Sequence, residues 1–148
     1  MAMKTLLVLL LSALAFNANT QSAEQPAVEQ ACLNYIEGFY EGDTAKLIKC
    51  LSPTLHKYGY YKNKTEQYVG DAMSYEQALD FAKNVLAKKR FAKPDDPKTV
   101  VVLDIQEQIA CAKVVAWWGM DYMLLAKKDG QWMIEQVLWQ GPLKSINR

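Results

Sequence analysis

Acidic, imidazole and phenolic side chains are the groups in this sequence with the chemistry to act on a small molecule. Asp121 opens an apolar run, His56 is the only histidine, and Asp104 lies within the apolar stretch VVLDIQ. A general base can abstract a proton next to a carbonyl, while a hydrogen-bond donor stabilises the enolate. His56 or Asp121 is the candidate base, Tyr35 or Tyr60 the candidate donor, and Asp104 a further candidate acid.

The same residues have structural interpretations that need no reaction. His56 beside Lys57 at a predicted strand start fits a surface residue, and Asp121 near Gly119 fits an acid that caps the amides of a turn. Asp104 is buried if its face is inward and solvated if it is outward. The sequence contains no nucleophile motif, Gly-rich phosphate loop or metal-ligand series. We therefore predict no metal site and no cofactor.

Composition and charge indicate a folded globular protein without the positive charge of nucleic-acid binders. Hydrophobic residues make up 51% of the 148 residues, as in folded globular proteins rather than disordered chains. The formal net charge is +1, and removal of Lys4 with a leader leaves zero. A near-neutral domain lacks the positive field of nucleic-acid binders. The one basic run, Lys88-Lys89-Arg90, ends a predicted helix, where cations complement the helix dipole. We therefore expect no nucleic-acid partner.

The first residues have the layout of a secretory signal peptide. Basic MAMK precedes apolar TLLVLLLSALAF, and small or polar residues follow in NANTQSA. An N-terminal core helix is the alternative, but Leu6 to Phe16 has almost no polar face. We predict a signal peptide over residues 1–22, with cleavage between Ala18 and Ala23. One exported domain over residues 25–148 follows, periplasmic or secreted, with no stable membrane span once the leader is removed.

The three cysteines leave the disulfide state open. Cys32 and Cys50 lie on successive predicted helices at comparable distances from the turn between them, so a bridge is geometrically possible. Cys111 lies mid-strand in IACAKVV, and an odd number leaves at least one thiol unpaired or bridged to another chain. Buried free thiols are the alternative that we favour. Without a C-x-x-C pair we expect no zinc or redox site.

Apolar periodicity predicts helices before the strands. The segment PAVEQACLNYIEGF carries an apolar stripe at helical spacing, and Gly42 ends that helix as its C′ residue. Asp43 caps a short second helix, TAKLIKCL, which Ser52-Pro53 ends. The segment LHKYGYYKNKTEQYVGD predicts an irregular hairpin. A capping box of Ser74 and Gln77 then begins a third helix with apolar positions in ALDFAKNVL.

Strands follow the turn-rich linker KPDDP. The runs KTVVVLDIQEQ, QIACAKVVAWW, DYMLLAKK and QWMIEQVLWQ are separated by short turn signals, and Gly119 marks a bulge or bend. Asp129-Gly130 between two such runs is the strongest hairpin signal in the chain. Helices followed by a mostly antiparallel sheet indicate an α+β fold.

Two segments resemble a known family. YIEGFYEGDTAKLIKCLSP and DYMLLAKKDGQWMIEQVLW are similar to the putative lumazine-binding family of the nuclear-transport-factor-2-like superfamily. The resemblance covers Gln25 to about Gln140. It implies a cystatin-like cone, in which a strongly curved sheet wraps around the helices and often dimerises through its outer face. The superfamily hosts isomerases, cyclases, dehydratases, binding modules and non-enzymatic dimers, so the resemblance implies no particular reaction.

The last hairpin is apolar on both faces of its strands. With a period of two, one face carries Trp132, Ile134 and Leu138, and the other carries Met133, Val137 and Trp139. A sheet with one wet face alternates apolar and polar residues, which this hairpin does not. We predict a homodimer through the outer face of Met133, Val137 and Trp139. A register shift at Gly119, or the tail GPLKSINR folding back, is the alternative.

The resemblance also implies a ligand cavity between helices and sheet. The candidate lining residues are Tyr35, Phe39, His56, Tyr58, Tyr60, Trp117 or Trp118, and Asp121. We predict binding of a small apolar or aromatic molecule, or an interaction module, without turnover. The alternative is an isomerase, cyclase or dehydratase that uses His56 or Asp121 with a tyrosine.

Overall fold

The computed structural model describes residues 23–142, in which helices pack against one curved sheet. Helix α1 covers residues 23–41 of this part of the chain. The elements that follow, in chain order, are α2 (Thr44–Cys50), β1 (Leu51–Lys62), β2 (Tyr68–Met73), α3 (Tyr75–Ala87), β3 (Thr99–Ile105), β4 (Ile109–Ala116), β5 (Gly119–Lys128) and β6 (Gln131–Gln140).

The six strands form a single sheet in the order β2-β1-β6-β5-β4-β3. Strands β1 and β6 pair in parallel, and every other neighbouring pair is antiparallel. The last strand therefore lies in the middle of the sheet, beside the first. The arrangement confirms the predicted α+β fold with a mostly antiparallel sheet.

Local signals in the sequence place the helix ends. Gly42 follows α1 with a φ of +69°, a left-handed conformation that glycine adopts without strain. The Asp43 side chain accepts hydrogen bonds from the amides of Ala45 and Lys46, as an N-cap residue does. Ser74 and Gln77 form the predicted capping box at the start of α3. These residues determine where α1 ends and where α2 and α3 begin.

The core lies between the apolar faces of the helices and the inner face of the sheet. The predicted stripe of α1 is buried throughout: Val28, Ala31, Cys32, Tyr35, Ile36 and Phe39. The opposing sheet surface supplies Val114, Met123, Leu125 and Ile134, all nearly inaccessible to solvent. All three cysteines are free thiols, with Cys32 and Cys50 buried in this core.

Several expected boundaries differ in the structure. Ser52-Pro53 does not end α2 but lies within β1, because the chain passes from Cys50 directly into the strand. Gly119 does not form a bulge. It begins β5 immediately after a two-residue turn of Trp117 and Trp118, and β4 pairs with β5 without a shift. The Asp129-Gly130 hairpin is present, with both residues at positive φ as a type I′ turn requires.

A bulge at Glu135 overturns the predicted outer face of β6. Leu124 pairs with Gln136 but Leu125 pairs with Ile134, so Glu135 is the extra residue and the alternation reverses beyond it. Val137 is therefore buried, and Trp139 faces inward with it, whereas Leu138 is exposed on the outer face. The prediction that Val137 and Trp139 lie on the outer face is wrong, as is the prediction that Leu138 shares a face with Trp132 and Ile134.

The predicted signal peptide, residues 1–22, lies outside the described part of the chain, as do residues 143–148 with most of the tail. Between residues 23 and 142, no helix is long and apolar enough to cross a membrane.

Candidate functional site

A cavity of about 430 Å³ opens between the helices and the inner face of the sheet. Tyr35 and Phe39 of α1 and the turn residues Trp117 and Trp118 line it, where the sequence analysis expected them. The further lining residues are Lys57, Tyr61, Lys62, Met73, Phe81, Trp139, Gly141 and Pro142. This volume lies within the range of small-molecule sites, which are concave and mostly apolar.

Three expected lining residues do not face the cavity. Alternate side chains of a strand point to opposite faces, and in β1 the buried positions are Leu55, Lys57 and Gly59. His56, Tyr58 and Tyr60 are therefore exposed on the outer face of the sheet. The prediction that they line the cavity is wrong by one residue of register.

A chain of hydrogen bonds forms the polar floor of the site. The Lys57 ammonium lies 2.6 Å from the Tyr35 hydroxyl, which lies 2.6 Å from Oδ2 of Asp121. The indole nitrogen of Trp118 lies 2.9 Å from Oδ1 of the same carboxylate. These four residues come from β1, α1, β5 and the β4–β5 turn, so the chain of contacts ties the helix to the sheet.

The direction of each hydrogen bond follows from the chemistry of the groups. A lysine ammonium only donates, an ionised carboxylate only accepts, and a tyrosine hydroxyl has one proton. Lys57 therefore donates to the Tyr35 oxygen, and Tyr35 donates its own proton to Asp121. Trp118 also donates to Asp121. Each of these hydrogen bonds is directed towards the Asp121 carboxylate, and Lys57 retains two further N–H groups.

Burial shifts the pKa values of both residues that face the cavity floor. Burial, then the charge of Asp121, raises the pKa of the Tyr35 hydroxyl well above its usual value. Burial lowers the pKa of Lys57, and the Asp121 carboxylate 3.8 Å away opposes that shift. Tyr35 therefore stays protonated, and the carboxylate favours the ammonium form of Lys57.

Aromatic rings surround the cavity. The rings of Tyr61 and Trp139 are parallel to within 3°, with centroids 6.3 Å apart. Phe39 meets Tyr35, Phe81 and Trp118 edge to face, with ring centroids between 5.0 and 5.7 Å apart. Such offset and edge-to-face arrangements are the preferred geometries of aromatic pairs. The walls therefore offer flat apolar surfaces and the exposed edges of rings.

Gly59 makes room for one of these walls. A Cβ atom at this position would lie 1.9 Å from Nε1 of Trp139. The absence of a side chain therefore lets the Trp139 ring pack against β1, where the Lys57 ammonium lies 5.4 Å from its centre.

Asp121 accepts hydrogen bonds from two residues that line the cavity. Its side chain is fully buried and is not part of the cavity wall; Tyr35 and Trp118, which contact both its oxygens, stand between it and the cavity. The expectation that Asp121 lines the cavity is therefore wrong. Asp104 lies elsewhere, exposed on β3 at the shift in β3–β4 register, where Gln106 donates to it.

Lys57, the charged residue at the cavity floor, was not among the residues predicted from the sequence. The signal was the alternation of the segment LHKYG, which places Lys57 on the same face as Leu55 and Gly59. Tyr61, Phe81 and Trp139 were not predicted as wall residues either. Trp139 was assigned to the opposite face of the sheet because the bulge at Glu135 was not predicted. In the described residues 23–142, no cluster of three or more His, Cys, Asp or Glu could hold a metal ion.

Solved structures share this architecture. A nuclear-transport-factor-2-like protein of unknown function from Shewanella baltica is 18% identical, covers 80% of this chain and 93% of its own, and superimposes with a TM-score of 0.63. A cystatin-like domain of unknown function from Nostoc punctiforme is 14% identical, covers 83% and 80%, and gives 0.56. The association domain of C. elegans CaMKII is 11% identical, covers 83% and 99%, and gives 0.56.

These likenesses show the fold alone, because the identities are low. No curated protein matches the sequence. The family described as putative lumazine-binding matches residues 23–140, which is most of the chain. The match agrees with the helix and hairpin motifs, and with the six-stranded sheet that contains the last hairpin. The chain belongs to the putative lumazine-binding family, within the nuclear-transport-factor-2-like group of folds.

Proposed function

We propose that this protein is an exported binding protein that holds a small apolar or aromatic molecule in the cavity without turning it over. The proposal rests on one observation: the cavity is lined by aromatic side chains, and no buried acid of the described residues lines it. Asp121, the one buried acid among these residues, lies behind Tyr35 and Trp118. The description of the family as putative lumazine-binding supports a small ligand.

The geometry favours binding over acid–base catalysis. A general base must come within hydrogen-bond reach of the proton that it removes. Asp121 is shielded from the cavity by Tyr35 and Trp118, His56 is on the other face of the sheet, and the Tyr35 proton is donated to Asp121. No side chain of this set is placed to abstract a proton from a molecule in the cavity.

An isomerase, cyclase or dehydratase is the second candidate, since Tyr35 and Asp121 do meet at the cavity floor. An exchange experiment distinguishes the binding protein from the enzyme. The protein is incubated with an aromatic ketone such as 2-tetralone in deuterated buffer, and nuclear magnetic resonance measures the rate at which the protons next to the carbonyl exchange. We expect exchange at the buffer rate. Acceleration that Tyr35→Phe abolishes would support the enzyme instead.

The cavity assignment is tested with two exposed phenylalanines. Phe81 is 41% exposed and lines the mouth, whereas Phe91 is 50% exposed and is not a lining residue. Phe81→Asp should weaken the binding of naphthalene roughly tenfold, because burial of an aromatic surface is worth ~1.5–3 kcal/mol. Phe91→Asp should leave the affinity unchanged. Equal effects of the two substitutions, or no binding to the unmodified protein, would contradict the assignment.

The outer face of the sheet supports a dimer of this chain. Tyr58 pairs with Leu138, and Leu138 with Tyr122, so three exposed apolar side chains form one row across β1, β6 and β5. Exposed Leu124 and Tyr60 extend this row into a patch. Such patches mark interaction sites. The CaMKII association domain, which has the same fold, supports the use of this fold for assembly.

Sedimentation tests the dimer with two matched leucines. Leu138 on the outer face is 53% exposed, and Leu86 on α3 is 55% exposed. We expect a dimer at micromolar concentration that Leu138→Glu dissociates and Leu86→Glu does not. A monomer of the unmodified protein at that concentration would refute this part of the proposal.

Export is supported by the basic and apolar layout of the first residues, MAMK and TLLVLLLSALAF. N-terminal sequencing of the protein from its own cells should begin between Ala18 and Gln25. Recovery of an intact segment from Met1 to Lys4 would overturn the export proposal.

A further inference from the structure

We infer that the cavity takes a planar aromatic anion, in the simplest case an aromatic carboxylate, whose oxygen accepts a hydrogen bond from the Lys57 ammonium. This inference rests on the proposed binding function and adds the chemical class of the ligand. Nothing in the family description assigns Lys57 a role.

The Lys57 ammonium has more N–H groups than the described residues supply with acceptors. An ammonium carries three N–H groups. Within the described residues, the Tyr35 oxygen at 2.6 Å is the acceptor at hydrogen-bond distance from Lys57, and the Asp121 carboxylate follows at 3.8 Å. Buried polar groups almost always have partners. Because Lys57 is buried and also lines the cavity, its remaining donor capacity is available to an acceptor on the ligand.

The charged side chains that line the cavity are all positive. The charged lining residues are Lys57 at the floor and Lys62 further along β1. The balancing acids stand away from the ligand: Asp121 is behind Tyr35, and Glu66 contacts Lys62 from an exposed position. A cleft lined by one sign of charge and by apolar walls concentrates ligands of the opposite sign. The cavity therefore favours an anion over a cation.

The apolar walls of the cavity are formed largely by aromatic rings. The Trp139 ring is parallel to Tyr61, and the Lys57 ammonium lies 5.3 Å from the centre of the Tyr35 ring and 5.4 Å from that of Trp139. An aromatic lining beside a buried ammonium suits a flat ring that packs against these side chains and carries a hydrogen-bond acceptor at its edge. Charge-assisted hydrogen bonds are stronger than neutral ones, so this contact decides among ligands of equal shape.

The test uses three compounds of one shape: 2-naphthoate, naphthalene and 2-naphthylmethylammonium. Titration followed by tryptophan fluorescence should give about tenfold tighter binding of the carboxylate than of the hydrocarbon, and the weakest binding for the cation. Lys57→Met should bring the carboxylate to the level of the hydrocarbon. Lys83→Met, on the exposed part of α3, is the control and should change neither affinity.

A second variant covers the case in which Lys57→Met does not fold because Asp121 is left without a counter-ion. The double variant Lys57→Met with Asp121→Asn removes both charges and should also lose the preference for the carboxylate. Equal affinities of the unmodified protein for naphthoate and naphthalene would overturn the inference and leave the binding function standing. Failure of all three compounds to bind would overturn both.

Discussion

The Lys57 ammonium and the Asp121 carboxylate lie 3.8 Å apart in the protein interior, with the Tyr35 hydroxyl bonded to both. Strand β6 separates the strands that carry the two charges, and Tyr35 reaches them from α1. One buried ion pair therefore joins three elements around the cavity floor. Its charges are costly to remove from water, and each depends on the other for compensation.

Asp121→Asn should destabilise the fold by about 3 kcal/mol, because loss of one partner leaves the other charge buried and uncompensated. Asp95→Asn, at an exposed position in the loop before β3, is the control and should cost less than about 0.5 kcal/mol. Urea unfolding of the three proteins measures both values. Similar midpoints for the two variants would show that the buried pair contributes little.

Tyr35→Phe should reduce the loss in the free energy of unfolding that accompanies a rise to alkaline pH. Burial, then Asp121, holds the pKa of Tyr35 well above its usual value of about 10. Above about pH 10 the unfolded chain therefore loses a proton that the folded state keeps, and the free energy of unfolding falls as pH rises. The stabilisation is complete below that pH.

Urea midpoints between pH 8 and about pH 11 measure this slope. Tyr68→Phe, at an exposed position of the edge strand β2, is the control and should retain the slope of the unmodified protein. An unchanged slope in Tyr35→Phe would mean that Tyr35 does not govern the alkaline limit.

Gly59→Ala should displace the Trp139 ring and cost about 2 kcal/mol, since the new Cβ would lie 1.9 Å from its indole nitrogen. At Gly70 a Cβ would instead meet the end of the exposed Tyr58 side chain, which can turn away. Gly70→Ala should therefore change stability by less than about 0.5 kcal/mol. Thermal unfolding measures the stability of both variants. Equal losses of stability in Gly59→Ala and Gly70→Ala would refute the role of Gly59 in the cavity wall.

A thiol reagent should modify Cys111 in the native protein and spare the other two cysteines. Burial, then Glu29, raises the pKa of Cys32 to about 12, and burial raises that of Cys50 as well. Cys111 is half-buried and pairs with Leu124 in the sheet. Reaction of all three thiols at one rate before denaturation would contradict the buried placement. Slower reaction of Cys111 at higher protein concentration would support the proposed dimer.

Sequence periodicity predicted the fold well because the helix signals are local. Asp43, Ser74 and Gly42 cap or end helices through atoms of their own neighbourhood. The Asp129-Gly130 turn determines a hairpin by its own conformation. The resemblance at the two ends of the chain then gave the cone and the cavity.

Which side chains line the cavity depends on the face of the sheet that each strand residue occupies, and the sequence alone does not determine this. A period of two with the wrong starting face assigned Tyr58 and Tyr60 to the cavity and passed over Lys57. The bulge at Glu135 reversed the faces of Val137 and Trp139. A bulge places two residues of one strand opposite one residue of its neighbour, so its position depends on how both strands pair. A short local window therefore does not contain the information that locates it.

Binding of an aromatic molecule in this cavity can be followed directly through the four tryptophans of the chain. Trp117, Trp118 and Trp139 line the cavity, whereas Trp132 bonds to Glu24 and is not a lining residue. Their indole N–H signals can be followed by nuclear magnetic resonance during a titration with 2-naphthoate. We predict saturable shifts of the three cavity signals with Trp132 unmoved. Four unmoved signals, or a shift of Trp132 as large as the others, would contradict the account.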